Sequence, residues 1–260
     1  MDIGLRGRRA IVSGASKGLG RACAFSLARE GAEVWITART KGPLDEAASD
    51  IAQRTGGTVH AVPGDITSEE GRAAILDACP APDILVANPG VRQVPADFST
   101  MTRADWDDWM GWHFYSSLEL IRAVVPGMCE RRFGRVVNMS VSFIKFPQVG
   151  FAASHAARLA LSGAIASMVR ELIAHNVTIN TVCPGLFDTD ALQTNLHAHA
   201  KRGNTTYEAI VADRKDNCPA GRFADPSECG DLVAYVCAAQ SGFMTGQNII
   251  SDGGVYQGLF

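Results

Sequence analysis

Short apolar runs alternate along the chain with longer stretches of helical length. The runs that predict strands, most of them rich in β-branched residues, are Arg9–Ser13, Glu33–Thr37, Thr58–Val62, Asp83–Ala87, Arg135–Ser140, Val177–Val182 and Asn248–Ser251. The helix-length stretches between them include Arg103–Arg131, Ala152–Ala174 and Pro226–Ala239. Runs that are apolar throughout are typical of strands covered on both faces. The alternation therefore predicts an α/β fold with a doubly wound parallel sheet.

One connection is much longer than the others. Leu186–Asp225 places 40 residues between the sixth strand and the next helix, whereas connections in α/β units are usually about 2–6 residues long. Loops beyond the carboxyl ends of parallel strands surround the ligand crevice of such a sheet. We therefore expect residues 186–225 to form a helical substrate lid within one domain that spans residues 1–260.

Composition narrows the class of protein. The 260 residues suffice for one large domain with a buried core. A net charge of −3 argues against nucleic acid or an anionic membrane as partner. The seven cysteines include no Cys-x-x-Cys pair, so neither a disulfide framework nor a metal site is expected. The chain shows no apolar signal segment and no run of membrane-spanning length, which predicts a cytoplasmic protein.

A glycine-rich turn follows the first predicted strand. Ser13-Gly-Ala-Ser-Lys-Gly-Leu-Gly20 leads directly into the helix-like stretch Arg21–Glu30. Glycines let the backbone turn tightly and approach phosphates, and the free N–H groups at the helix start attract negative charge. The turn therefore predicts a site for the pyrophosphate of a dinucleotide. The residues expected to form it are Gly14, Ser16, Lys17, Gly18, Leu19 and Gly20.

The end of the second predicted strand indicates which dinucleotide binds. An NAD site of this kind usually has an acidic side chain there, which holds the ribose 2′-hydroxyl. Here the strand is followed by Arg39, and Lys17 is a second cation in the nearby turn. Two cations can bind a 2′-phosphate, so NADP(H) is favoured over NAD(H).

Motifs along nearly the whole chain resemble the short-chain dehydrogenase/reductase family, and more narrowly its 3-oxoacyl-carrier-protein-reductase-like branch. They are Ser13–Gly20, Asp65-Ile66, Asn88-Pro-Gly90, Asn180-Thr-Val-Cys-Pro-Gly185 and Thr245–Gly254. The resemblance implies a Rossmann-like fold and an oxidoreductase. It also implies further cofactor-binding residues, which are Asp65, Ile66, Asn88, Gly90, Arg158, Pro184, Gly185, Leu186 and Thr189.

The family also implies a role for several of these positions. Asp65 would contact the adenine, and Asn88 would support the central strand beside the cofactor. Pro184-Gly185 would line the nicotinamide, and Leu186–Thr189 would hold its amide.

The catalytic pattern of the family is Asn, Ser and Tyr-x-x-x-Lys, and this chain departs from it. Phe151-Ala-Ala-Ser-His155 offers one match to the last pair. Arg158, however, lies 22 residues before Asn180 and precedes a stretch that ends in glycine, as the family's lysine does, whereas His155 lies 25 residues before Asn180. This spacing favours Ser154 at the tyrosine position and Arg158 at the lysine position. Under either alignment the tyrosine is missing.

Two further catalytic positions follow from the same spacing. Val141 falls at the serine position, between Ser140 and Ser142, and either hydroxyl could act in its place. His113 falls at the asparagine position.

The replaced residues change the expected chemistry. Ser154 is a far weaker acid than a phenol, but its hydroxyl can bind a substrate carbonyl or a water. Arg158 stays protonated, so it polarises its surroundings and holds ribose hydroxyls. His113 is the best remaining proton carrier, because an imidazole titrates near neutral pH. A helix histidine bonded to the backbone is the alternative interpretation.

These features favour an atypical oxidoreductase that interconverts a carbonyl and an alcohol on a small or acyl-bearing molecule. The alternatives are a non-redox isomerase, hydratase or lyase on the same scaffold, and a catalytically silent dinucleotide-binding protein. The small residues of Ala152–Ala174 allow close approach of helices, and in resembling proteins this helix forms a dimer face. A homodimer or homotetramer is therefore expected.

Overall fold

Seven strands form one parallel sheet within residues 2–90 and 97–259, which the computed structural model describes. They are β1 (Arg9–Ser13), β2 (Glu33–Ala38), β3 (Val59–Pro63), β4 (Ile84–Ala87), β5 (Gly134–Met139), β6 (Val177–Pro184) and β7 (Asn248–Ser251). Their order is β3-β2-β1-β4-β5-β6-β7, and every neighbouring pair is parallel. The connections run outward from β1 on one side and from β4 on the other, which places the ligand crevice of such a sheet at the carboxyl ends of these two strands.

Helices connect the strands. They are α1 (Gly18–Arg29), α2 (Lys41–Thr55), α3 (Glu69–Ala78), α4 (Arg103–Met110), α5 (Ser116–Glu130), α6 (Ala152–Leu172), α7 (Asp190–Arg202), α8 (Tyr207–Asp216) and α9 (Pro226–Val236). The predicted fold class, a doubly wound α/β sheet, is confirmed. Each of the seven predicted strands is present, with ends that differ from the prediction by at most two residues.

Both faces of the sheet are buried. On one face, α1 and α9 pack closely enough that a Cβ atom on Gly230 would lie 2.4 Å from the carbonyl oxygen of Ala22. On the other face, Leu120 of α5 and Leu161 of α6 belong to a second buried cluster with residues of β4, β5 and β6. This arrangement explains why most of the strands have apolar residues at successive positions rather than at alternate ones. In the described part of the chain, no helix has the length and apolar character needed to cross a membrane.

The stretch predicted as one helix over Arg103–Arg131 is interrupted. A π-helical turn, Gly111–Tyr115, separates α4 from α5. The turn adds a residue to the helical repeat and thereby changes which side chains face the sheet. Hydrophobic spacing alone does not reveal such a turn.

The long connection after β6 is helical, as predicted. It contains α7 and α8, which begin after the N-cap residues Thr189 and Thr206. The two ends of the connection meet where Phe187 pairs with Ala224 in an isolated parallel bridge. The insert therefore leaves the sheet and returns to it at one place, beside the carboxyl end of β6.

Candidate functional site

The glycine-rich turn packs tightly against the end of β4. A Cβ atom on Gly14 would lie 2.5 Å from the carbonyl oxygen of Asn88, and one on Gly20 would lie 2.3 Å from the carbonyl oxygen of Gly14. Gly14 also has a φ of 60°, which favours glycine. The backbone N–H of Asn88 donates to Oγ of Ser13 at 2.8 Å, and this hydroxyl lies 3.0 Å from the carbonyl oxygen of Asn88. No larger residue fits at either glycine without moving the backbone.

The start of α1 is open to an anion. Lys17 is the N-cap residue and its side chain makes no capping hydrogen bond, and the first turn of this helix carries no acidic residue. Ser16 is partly buried in the turn, while Leu19 packs against the core. The free N–H groups of the first turn and the tight glycine cradle together fit the pyrophosphate of a dinucleotide.

Arg39 lies beside this turn. It follows β2, whose Thr37 pairs with Ser13 and accepts a hydrogen bond from the N–H of Ala15 at 3.2 Å. The Arg39 side chain is exposed, and its Cζ atom lies 5.2 Å from the ring centroid of Trp112. The helical spacing of Trp112 indicates only a packing residue, because its contact with Arg39 joins two segments that are distant in the chain. Arg39 and the exposed Lys17 could both reach a phosphate at the glycine turn.

The remaining cofactor positions lie along the same edge of the sheet. Oδ1 of Asp65 accepts hydrogen bonds from the N–H and the hydroxyl of Thr67, at 2.9 and 2.8 Å, and the next residue, Ile66, is buried. Gly90 follows β4 with a φ of 80°, which favours glycine. These residues follow β3 and β4, the strands expected to border an adenosine group.

The segment after β6 lies close to the glycine turn. Pro184 ends this strand, and the N–H of Gly185 donates to the carbonyl oxygen of Ser251 at 2.8 Å. Thr189 accepts a hydrogen bond from the N–H of Leu192 at 3.3 Å and so begins α7. The methyl carbon of Thr189 is 3.7 Å from the position that a Cβ atom on Gly18 would occupy. Leu186 and the residues after it thus lead from the end of the sheet to the phosphate cradle.

Three of the predicted catalytic residues meet at one point. Nε of Arg158 donates to Oγ of Ser154 at 3.4 Å, and Nη1 of Arg158 donates to the carbonyl oxygen of Met139 at 3.3 Å. Nη2 of Arg158 lies 3.4 Å from Nε2 of His113. The guanidinium therefore joins α6, the end of β5 and the π-helical turn.

The contact with Arg158 defines the role of Nε2 of His113. A guanidinium has only donors, so Nε2 of His113 is the acceptor in this contact. His113 is 3% exposed and stacks on Trp109, with ring centroids 5.4 Å apart. Packing and hydrogen bonding together hold the imidazole against the guanidinium.

Burial affects the charge of Arg158. It lowers the pKa of this guanidinium to about 10, which leaves the group protonated at neutral pH. The hydrogen-bond partners described above are a hydroxyl, a carbonyl and an imidazole. In the part of the chain that the structure describes, the positive charge has no carboxylate partner and is available to a developing negative charge.

The two candidate serines differ in their surroundings. Ser140 follows β5 and is 5% exposed, and its hydroxyl forms no hydrogen bond to any described residue. Ser142 lines a cavity of about 130 Å³, which is also lined by Gly185 and Leu186. Of the two serines, Ser142 is therefore the one that borders this cavity. His155 does not join the site, because it is buried and stacks on Phe151 with ring centroids 5.8 Å apart.

Further residues that were not predicted from the sequence also line this cavity. Arg214 and Asn217 of the insert and Asp252 after β7 line it. No sequence pattern distinguishes Arg214 from other basic residues at helix ends. Within residues 2–90 and 97–259, no group of three or more histidine, cysteine, aspartate or glutamate residues is arranged to hold a metal ion.

Known sequences resemble this chain over almost all of its length. The family described as Enoyl-(Acyl carrier protein) reductase matches residues 14–256. A 3-oxoacyl-(acyl-carrier-protein) reductase of Vibrio harveyi is 31% identical over 258 residues, which cover 98% of this chain and 99% of the relative.

Solved structures show the same fold. The L-sorbose reductase of Gluconobacter frateurii, crystallised with NADPH and L-sorbose, is similar with a TM-score of 0.93 and 26% identity over the full length of both chains. A 3-oxoacyl (acyl-carrier-protein) reductase of Agrobacterium tumefaciens C58 with NADP bound has a TM-score of 0.85 and 29% identity, over 97% of this chain and 95% of that one. Both hold the cofactor that Arg39 and Lys17 predict here.

Proposed function

Because the chain belongs to the short-chain dehydrogenase/reductase family, we propose that it is an NADP(H)-dependent oxidoreductase that interconverts a carbonyl and an alcohol on a small molecule. The observation that supports this most directly is the Ser154–Arg158–His113 cluster, which lies at the same edge of the sheet as an intact phosphate cradle.

The fit of the cofactor supports the proposal. The cradle of Gly14 and Gly20 would hold the pyrophosphate, and Arg39 with Lys17 would hold the 2′-phosphate. Leu186 and Thr189 would border the nicotinamide. When bound, the nicotinamide supplies or accepts a hydride. The remaining steps depend on the side chains of this chain.

Arg158 and Ser154 supply the electrostatic part of the proposed reaction. Since Arg158 donates to Oγ of Ser154, the hydroxyl hydrogen of Ser154 is directed away from the guanidinium and can bind a substrate oxygen. Negative charge that develops on this oxygen during reduction is stabilised by the hydroxyl and by the positive charge of Arg158. A water molecule then supplies the proton that completes the alcohol.

His113 has a positioning role in this scheme. Its Nε2 accepts from Arg158, so it holds the guanidinium toward Ser154. Protonation of Nε2 would break this contact, and a proton held there would be needed for His113 to act as the acid. We therefore propose water as the proton source, with His113 as the other candidate.

A panel of carbonyl compounds tests the function. Purified protein is incubated with NADPH and each compound, while NADPH absorbance and the products are followed together. NADPH oxidation with formation of an alcohol is expected for at least one member of the panel. A product without NADPH oxidation would identify a non-redox enzyme instead, and tight NADPH binding without any product would identify a binding protein.

The assembly expected from the small residues of α6 is supported by exposed apolar side chains. Leu159 of α6 is 44% exposed, and Tyr115, just before α5, is 52% exposed. We propose that this face joins two copies in a homodimer or a homotetramer. Light scattering that detects only a monomer at micromolar concentration would contradict this.

A further inference from the structure

The cavity beside Ser142 carries charges that the proposed chemistry does not use. Arg214 reaches it from the last turn of α8, and Asp252 reaches it from the segment after β7. Because Ser142 and Gly185 also line this cavity, it adjoins the positions predicted for catalysis and for the nicotinamide. A substrate is therefore expected to contact both charged groups.

Arg214 is available to a ligand. It is partly buried, and it forms no ion pair or hydrogen bond with the described residues. Other basic residues nearby are engaged: Arg222 forms a two-point ion pair with Glu228 at 2.7 and 3.0 Å, and Lys215 lies 5.4 Å from the ring centroid of Phe223. A guanidinium has five donors in a planar fork, and this geometry matches a carboxylate.

Asp252 is held in place by the backbone. Its Oδ1 accepts from the N–H of Gly254 at 3.0 Å, and its Oδ2 accepts from the N–H of Tyr256 at 2.9 Å. A carboxylate oxygen can accept more than one hydrogen bond, so a substrate hydroxyl can still donate to it. The cavity thus combines a cationic donor with a fixed anionic acceptor.

The amide of Asn217 adds to this polar lining. Its Nδ2 donates to the carbonyl oxygen and to Oδ1 of Asp213, at 2.8 and 3.0 Å. The amide is therefore oriented by its own helix. An unbranched hydrocarbon chain in this cavity would leave the Arg214 guanidinium without a polar partner and is disfavoured by the cost of desolvating it.

We propose that Arg214 binds a carboxylate of the substrate, and that the substrate is a small hydroxylated oxo acid whose hydroxyl groups donate to Asp252. The proposal rests on the proposed function, since it assumes that the cavity beside Ser142 receives the substrate. It assigns Arg214 to recognition and not to the reaction itself.

Binding of unreactive compounds tests this without turnover. An alcohol cannot react with a reduced cofactor, so polyols and the matching acids bind to NADPH-saturated protein without turnover. Calorimetry compares the affinity for sorbitol with that for gluconate, and the affinity for glycerol with that for glycerate. The acid of at least one pair is expected to bind about 10-fold more tightly than its neutral partner, as a charge-assisted contact would give. Equal binding within both pairs, or no binding of any of the four, would overturn the proposal.

Substitutions of Arg214 and Lys215 test which residue causes the tighter binding of the acid. Arg214→Gln should remove the preference for the acid, and Arg214→Lys should retain part of it. Lys215→Gln, one residue further along the same helix, should leave it unchanged. NADPH affinity should be unaltered in all three variants, which separates a failure of this proposal from a failure of the cofactor assignment. If the Arg214→Gln variant still binds the acid more tightly than the polyol, another residue binds the carboxylate.

Discussion

Nη2 of Arg158 lies 3.4 Å from Nε2 of His113, although the two residues are 45 positions apart in the chain. The contact depends on the π-helical turn Gly111–Tyr115, which carries His113 at the end of α4. Because the guanidinium can only donate, the histidine acts as an acceptor that positions the charge. An asparagine oxygen can accept a hydrogen bond in the same way.

This relationship predicts a difference between two substitutions of one residue. His113→Asn should keep turnover within about 10-fold of the unsubstituted protein, because it preserves an acceptor for Arg158. His113→Ala should lower turnover further, because it leaves the guanidinium without this acceptor. Steady-state rates of the three proteins provide the measurement. If His113→Asn instead falls by about 10²–10⁴-fold, as His113→Ala does, His113 is the general acid.

The proposed role of Arg39 at the 2′-phosphate makes a second prediction. Arg39→Asp should weaken NADPH binding by about 1.5–3 kcal/mol, because it replaces a charged partner of the 2′-phosphate with a repulsive group. NADH binding should change less. Calorimetry gives the affinities for NADPH and for NADH. Lys41→Asp is the control, since Nζ of Lys41 donates to Oδ2 of Asp45 at 2.5 Å on α2. Equal affinities for NADPH and NADH in the unsubstituted protein would contradict the assignment of Arg39.

Much of the fold follows from sequence periodicity. The seven strands were predictable because parallel strands buried on both faces are short and rich in apolar residues, as β1 and β4 are. The end of β6 was not predictable, because its last residue, Pro184, belongs to the sheet only through its pairing with Ser251. The π-helical turn was not predictable either, since it changes the helical repeat without changing the composition.

The candidate site was predictable where a local motif carries it. Gly14 and Gly20 lie in a turn whose spacing is visible in the sequence, and the structure shows why neither position accepts a larger residue. Trp112 and Arg214 were missed because their partners, the Arg39 side chain and the cavity wall, come from other parts of the chain. Spacing gives the neighbours of a residue along one element and not across elements.

A pair of glycines tests the phosphate cradle. Gly20→Ala should weaken NADPH binding and lower the free energy of unfolding by about 1–3 kcal/mol, because the added carbon meets the backbone of Gly14. Gly42→Ala is the matched control, since nothing lies within 4 Å of a Cβ atom there. It should leave NADPH binding unchanged. Calorimetry and thermal unfolding of both variants are the measurements, and unaltered binding in Gly20→Ala would place the phosphates elsewhere.

His155 predicts a change in stability with pH. Burial, with a smaller effect of Arg158, lowers the pKa of this histidine from 6.5. As the pH falls below 6.5, the unfolded chain takes up the proton first, so the free energy of unfolding should decrease. His155→Gln should make this decrease smaller, whereas a substitution of the exposed His175 by glutamine should not. Denaturant unfolding between pH 7 and 5 measures the free energy of unfolding of the unsubstituted protein and the two variants. The same dependence on pH in all three proteins would refute the role of His155.

Transfer of labelled hydrogen tests most directly whether this chain is an NADP(H)-dependent oxidoreductase. NADPH deuterated at both C4 positions is incubated with the protein and a carbonyl compound that supports turnover, and the product is analysed by mass spectrometry. We expect one deuterium on carbon in the product alcohol for each NADPH oxidised, because the hydride comes from the nicotinamide. A product that contains no deuterium, or one that forms while NADPH stays unchanged, would show that the reaction is not a hydride transfer.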